Sequence, residues 1–300
     1  MRNLSMMTDF YELTMMNGYS ALGTSGKTAV FDVFFRQQGQ ISYAVAAGLQ
    51  QAIEYINNLH FDEEDIEYLR REAGFGEKFL GELRTFRFTG DIFAVTEGTI
   101  VFPDEPIMIV RAPLSQAQLI EPALLNIINH QTLIATKASR VKKSAGKASV
   151  AEFGLRRAQG PDAGIYGARA SIIGGCSGTS NVLSGEMFGI PIKGTMAHSW
   201  IMSFDSELEA FRKFAEIYPD NALLLVDTYD TLRSGVPNAI KVFDELKARG
   251  KKPVGIRLDS GDLAYLSKKA RRMLDDAGHT DAIIFASCDL DEYVISALNE

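Results

Sequence analysis

The sequence predicts an α/β protein: an irregular α/β barrel, complete or cut short, preceded by a mixed α+β N-terminal domain. Three observations lead there. After Lys147, short apolar runs alternate with helical patterns, each joined through a polar loop. Before about Pro113, strand-like and helix-like pieces mix without that alternation. Across 300 residues, 46% hydrophobic and 23% charged is the composition of a globular chain able to bury a sizeable core. We place the boundary at 116/117, with a mixed α+β domain over 1–116 and an α/β-barrel domain over 117–300 that is truncated at its C-terminal end.

In the first domain, TAVFDVFFR (28–36) and PIMIVRAP (106–113) are rich in β-branched and aromatic residues and predict strands, while AVAAGLQQAIEYINNL (44–59) carries apolar residues at helical spacing. Asp62, Glu63, Glu64 and Asp65 precede a helical pattern, where carboxylates favour the first-turn amides and the positive end of the helix dipole. A long helix is expected from Ser115 to about Ala145, with Lys137, Arg140, Lys142 and Lys143 on its solvated face. In the second domain the runs ASVAEF, GIPIKG, ALLLVD, PVGIRLD and DAIIFAS predict strands. The segments ELEAFRKFAEIY, PNAIKVFDELKARG, AYLSKKARRMLDDAG and DEYVISALNE predict the helices between and after them. Continuous Val/Ile/Leu runs suit strands buried on both faces, and helices of this length return the chain for the next parallel strand. A full eight-unit barrel takes about 250 residues; five units are recognisable here. The glycine-rich IIGGCSGTSNVLSG (172–185) reads as tight helix packing.

The net charge of −7 and a pI near 5.3 disfavour nucleic acid and anionic membrane as partners, because both need a basic footprint. An anionic small substrate would need a local Arg/Lys cluster. Cys176 and Cys288 lie far apart, which indicates neither a disulfide framework nor a zinc site. Asp9 and Glu12 interrupt the apolar stretch a signal peptide would require, and no segment reaches a membrane span. The expected location is the cytoplasm.

Ligands of α/β folds sit at the carboxyl ends of the strands, and the unusual polar residues follow the predicted strands. Glu152 and Arg156 follow the first, Thr195 and His198 the second, Asp227 and Asp230 the third. Arg257, Asp259 and Asp262 follow the fourth, Ser287 and Asp289 the fifth. Guanidiniums clamp carboxylate or phosphate in bidentate fashion, and paired carboxylates hold Mg²⁺ directly or through its retained waters. The set therefore suits an anionic substrate with a divalent cation. A Schiff-base aldolase is a weaker option, since Lys193 is the one lysine at a strand end.

Seven segments carry a resemblance that runs the length of the chain: TDFYELTM (8–15), FDVFFR (31–36), EFGLRRAQGPD (152–162), GTMAHSW (194–200), DTYDT (227–231), GIRLDSGDL (255–263) and SCDLDEY (287–293). The chain resembles the nicotinate phosphoribosyltransferases. The resemblance implies formation of nicotinate mononucleotide and pyrophosphate from nicotinate and 5-phosphoribosyl 1-pyrophosphate, coupled to ATP hydrolysis, on the way to NAD. It implies Mg²⁺ and ATP as cofactors and a homodimer with a shared active site. His198 would be the phosphorylated histidine, and Thr195 and Arg257 would meet nicotinate, the arginine at its carboxylate. Ser260 and Gly261 would lie with Asp259 and Asp262 on the ribose and Mg²⁺-pyrophosphate side, the two aspartates as metal contacts. Asp227 would touch ribose or metal, Arg156 the substrate, and Glu152 and Asp289 the cofactor side. Tyr11 would stack on the pyridine ring, from a partner subunit; on pattern alone, beside Phe10, Leu13 and Met15, it reads as a core residue. Arg157 reads as structural, and Asp230 as a helix cap. Cys288 departs from the Asn or small residue usual there. Family members continue beyond this point with another strand and glycine-rich loops for the ribosyl 5-phosphate, so the chain is expected to be a fragment or a non-catalytic relative if it is not itself active. Nicotinamide and quinolinate phosphoribosyltransferases are the nearest alternatives, differing in the charge offered to Arg257.

Overall fold

In a computed structural model, residues 3–37 and 41–300 are described, and they fall into two compact units, 1–192 and 193–300. The first unit contains α1 (Phe10–Leu22), β1 (Thr28–Val33), β2 (Ala44–Val45), α2 (Leu49–Asn57), α3 (Glu63–Ala73), α4 (Glu77–Arg84), β3 (Asp91–Ala94), β4 (Ile100–Val101), β5 (Met108–Pro113), α5 (Leu114–Ala145), α6 (Pro161–Ile173) and α7 (Val182–Phe188). Strands β1, β5 and β3 form an antiparallel sheet with β5 central, and β2 pairs with β4.

The expected strands at 28–36 and 106–113 are the flanking and central strands of that sheet. Asp62 begins α3 as an N-cap, accepting from the Asp65 amide at 2.9 Å in a reciprocal capping box with Asp65. The segment at 44–59 behaves differently at its start: Ala44 and Val45 pair with Ile100 and Val101, and the helix begins only at Leu49. The long helix is present as α5. It packs on α1, α2, β1 and β5 as well as on α6, and this spine ties the elements of the first compact unit together. Leu80, Leu119, Ile120, Ala123 and Ile66 are fully buried around it, each large one contributing about 1.5–3 kcal/mol. Gly174 explains part of the glycine-rich segment: a Cβ there would stand 2.4 Å from the Ala135 carbonyl oxygen, so only glycine lets α6 end against α5.

The second unit contains α8 (His198–Met202), α9 (Glu207–Ile217), β6 (Leu223–Leu225), α10 (Val236–Ala248), β7 (Gly255–Leu258), α11 (Leu263–Asp276), β8 (Ile283–Ala286) and α12 (Glu292–Leu298), with a π-helical turn at Thr231–Gly235. Strands β6, β7 and β8 are parallel neighbours in that order, as their apolar runs predict. Phe211, Leu224, Val226, Phe243, Ile256, Leu258 and Leu274 form the core of this unit.

Two of the five predicted strands are reduced to single bridges, Glu152 to Thr179 and Thr179 to Ile192. The middle position was not foreseen, because Thr179 lies in the glycine-rich stretch and carries no apolar run. Among the described residues the parallel ladder of the second unit is thus three strands wide. No helix among them is long and apolar enough to cross a membrane.

Candidate active site

At the carboxyl ends of β6, β7 and β8 the side chains form one hydrogen-bonded network. Arg257, on the last turn of β7, donates from Nη2 to Asp259 Oδ1 at 2.7 Å and from Nε to Ser287 Oγ at 2.8 Å. Its Nη1 reaches the Met196 carbonyl at 3.4 Å. Ser287, just beyond β8, donates in turn to Asp259 Oδ1 and to the Leu258 carbonyl. Asp227, beyond β6, accepts through Oδ2 from the Asp259 amide at 2.8 Å and the Ser260 hydroxyl at 2.6 Å. Its other oxygen, Oδ1, is buried with no hydrogen-bond partner. His198 opens α8; its Nδ1 lies 3.0 Å from Thr228 Oγ1 and its Nε2 lies 3.7 Å from Asp259 Oδ2.

The electrostatics follow from this geometry. Burial alone would raise the Asp259 carboxyl, but hydrogen bonds from Ser287 and Arg257, the Arg257 charge and the nearby imidazole hold it below the usual carboxylate range. Asp259 is therefore an anion throughout the neutral range. The pairing of Arg257 with Asp259 is what a purely structural reading of GIRLD would also give. What exceeds a structural pair is the company: a second carboxylate with a buried, uncompensated oxygen and an imidazole whose side chain is 38% exposed.

The predicted residues of this unit divide by what they touch. Thr195 donates its hydroxyl to the Leu223 carbonyl at the start of β6. Asp230 caps the π-helical turn, accepting from the Leu232 and Arg233 amides at 3.1 and 2.9 Å, as expected of a cap. Asp262 likewise caps α11 through the Tyr265 amide at 2.9 Å, a role the sequence reading did not assign it. Gly261 takes a φ of +77°, which forms the turn between Ser260 and that cap. Asp289 is exposed beyond Ser287. Cys288 adopts a φ of +120°, a backbone that glycine or asparagine reaches with less strain, which is a physical reason for Asn or a small residue there. Thr228 was missed altogether. It stands inside DTYDT, but its partner is 30 residues away and only the fold brings them together.

Tyr11, Glu152 and Arg156 lie in the first unit. Tyr11 is 54% exposed on α1, so it is not the core residue that its apolar neighbours suggest. Glu152 accepts from the Gly154 amide and from the Thr179 hydroxyl, one on each oxygen. It thereby organises the loop carrying Arg156, which is exposed on a short 3₁₀ turn at Leu155–Arg157.

Residues 6–129 match the nicotinate phosphoribosyltransferase N-terminal domain, and residues 148–286 match the nicotinate phosphoribosyltransferase family. The chain is 53% identical to the nicotinate phosphoribosyltransferase of Bacillus subtilis over 99% of its own length and 60% of that protein's. It is 48% identical to nicotinate phosphoribosyltransferase pncB2 of Mycobacterium tuberculosis over 98% of its length and 63% of that protein's. The chain thus spans about three fifths of these relatives. The crystal structure of human nicotinic acid phosphoribosyltransferase matches with a TM-score of 0.90 at 30% identity, covering 98% of this chain and 70% of that one.

Proposed function

Since the chain belongs to the nicotinate phosphoribosyltransferase family, we propose that it forms nicotinate mononucleotide and pyrophosphate from nicotinate and 5-phosphoribosyl 1-pyrophosphate, coupled to ATP hydrolysis, in NAD biosynthesis. The observation that carries this reading is the network at the ends of β6–β8, where Arg257, Asp227 and Asp259 share one hydrogen-bonded cluster and His198 Nε2 stands 3.7 Å from Asp259.

In this reading Arg257 orients the nicotinate carboxylate, held in place by Asp259 and Ser287 so that the guanidinium loses little freedom on binding. Thr195 completes the nicotinate contacts. Tyr11 stacks on the pyridine ring from the second subunit of a homodimer, for which its exposure on α1 leaves it available. Asp227, Ser260 and Gly261 face ribose. Asp289 lies toward the cofactor side. The ring nitrogen then attacks the anomeric carbon as the bond to pyrophosphate loosens, with the ring held in position by these contacts.

Mg²⁺ fits these residues in a particular way. Among the described residues no three ligating side chains cluster, so no dedicated cage is present. Yet Asp227 Oδ1 is a buried oxygen without compensation, and Mg²⁺ usually keeps several waters while resting on one or two carboxylates and substrate phosphates. Asp259 and Asp262 would hold it, through water, beside Asp227. When bound it neutralises charge on the pyrophosphate.

The test is mononucleotide formation from nicotinate and the pyrophosphorylated ribose with Mg²⁺, with and without ATP, with nicotinamide and quinolinate as competitors. The expected result is product stimulated by ATP and inhibited little by either competitor. His198→Asn should abolish the stimulation and leave basal transfer, whereas Arg257→Ala should lower kcat/KM for nicotinate by about 10²-fold. Equal loss of basal and stimulated activity in His198→Asn would count against the assigned role, and turnover of nicotinamide or quinolinate in preference to nicotinate would replace the substrate.

A further inference from the structure

The contact between His198 and Thr228 has a consequence for the chemistry of the imidazole. We propose that Thr228 is a positioning residue that fixes the His198 tautomer, with the proton on Nδ1 and the lone pair on Nε2, so that Nε2 is the atom that takes a phosphoryl group from ATP. The proposal rests on the reading that His198 is phosphorylated.

Thr228 Oγ1 stands 3.0 Å from Nδ1. A phosphorus atom could not approach Nδ1 in line without displacing that oxygen. On the other side of the ring, Nε2 faces Asp259 Oδ2 across 3.7 Å, longer than a direct hydrogen bond. The Asp259 Oδ1 atom is engaged by Arg257 and Ser287, so the carboxylate that Nε2 faces is already charge-paired. An incoming phosphate therefore does not meet a bare anion.

A hydroxyl can donate or accept, so the 3.0 Å contact alone allows two tautomers. If Thr228 donates, Nδ1 is closed and Nε2 carries hydrogen, which leaves no nucleophilic nitrogen. If the imidazole donates from Nδ1, the Nε2 lone pair is free. The second arrangement also survives the reaction. The Nε2 lone pair attacks the γ-phosphorus, the bond from that phosphorus to the β,γ-bridging oxygen breaks, and its electron pair leaves with ADP. The Nδ1 proton stays in place and continues to donate to Thr228, while the positive charge gained by the ring is met by Asp259. When water later attacks the phosphorus, Nε2 regains its lone pair and the same tautomer returns.

Two measurements test this on the full chain. The first is the ¹⁵N spectrum of ¹⁵N-histidine-labelled protein, with His198→Asn to assign the signal. A protonated Nδ1 and a bare Nε2 are expected in the neutral form of the His198 ring, and the reverse tautomer overturns the proposal. The second is the isomer of phosphohistidine formed with ATP and Mg²⁺, read by ³¹P NMR of the alkali-denatured phosphoenzyme. The Nε2 isomer is expected. Thr228→Val should slow its formation about tenfold, and Thr228→Ser should restore it. Equal circular dichroism melts of the three proteins make a folding defect distinguishable. Phosphate on Nδ1, or a Thr228→Val protein phosphorylated at the original rate, overturns the proposal alone. Absence of any phosphohistidine in the unsubstituted chain overturns the ATP-coupled reading with it.

Discussion

Asp259 concentrates the chemistry of the second unit into one residue, since a guanidinium, a hydroxyl and an imidazole all face its carboxylate. Its folded-state pKa is depressed, so its contribution to stability is fully present above the unfolded value near ~4 and is lost as pH falls through the lower, folded value. Urea midpoints measured from pH 6 down to about 2.5 should therefore show Asp259→Asn less stable than the unsubstituted protein at pH 6. The gap should narrow below pH ~4, as the carboxyl of the latter protonates. A constant gap over the whole range would mean that the side chain contributes by shape alone. At this scale part of the placement was legible: Asp227, Arg257 and Asp259 lie at or just beyond the ends of β6 and β7, as their apolar runs predict. Thr228 and the linking role of Ser287 were not, because a hydroxyl gains its meaning from a partner supplied by another strand.

At the scale of elements, close approach explains what apolar patterning does not. The π-helical turn delivers Gly235 against β6's continuation, where an added Cβ would lie 1.8 Å from the Val226 carbonyl oxygen. Gly235→Ala should therefore destabilise the protein by more than about 3 kcal/mol, or prevent folding, because backbone on both sides must move. A thermal melt within a degree or two of the unsubstituted protein would contradict it. Glu97 plays a comparable part in the first unit. It pairs with Arg169 at 2.6 Å and accepts from the Gly48 amide at 2.6 Å, ahead of α2. Burial opposes ionisation of this group, but the Arg169 and Gly48 bonds hold it below the usual carboxylate range. Glu97→Gln leaves the arginine without its charge partner and should cost on the order of 2–4 kcal/mol in denaturant titration. A change under half a kcal/mol would mean that the amide satisfies the same partners.

At the scale of the whole molecule, a net charge of −7 gives no broad basic face for a polyanion. The chain should show no retention on duplex DNA or heparin even at about 50 mM salt, where phosphate contacts are strongest; retention that weakens with salt would reveal a basic face. The sequence by itself determined the α/β class, the long α5, the acidic start of α3 at Asp62, the parallel strands β6–β8 and the placement of Asp227, Arg257 and Asp259 at or just beyond strand ends. Each of these follows from periodicity or composition within a dozen or so residues, or from motifs long enough to identify a family. Only the tertiary structure decided that Thr179 bridges Glu152 and Ile192, that α5 binds residues 1–192 into one unit, that Tyr11 is exposed, and that Asp262 serves as a cap. It also decided which face of His198 meets Thr228. The physical reason is common to all of these: they depend on which distant groups satisfy a hydrogen bond or exclude water, and such choices are made between segments rather than within one.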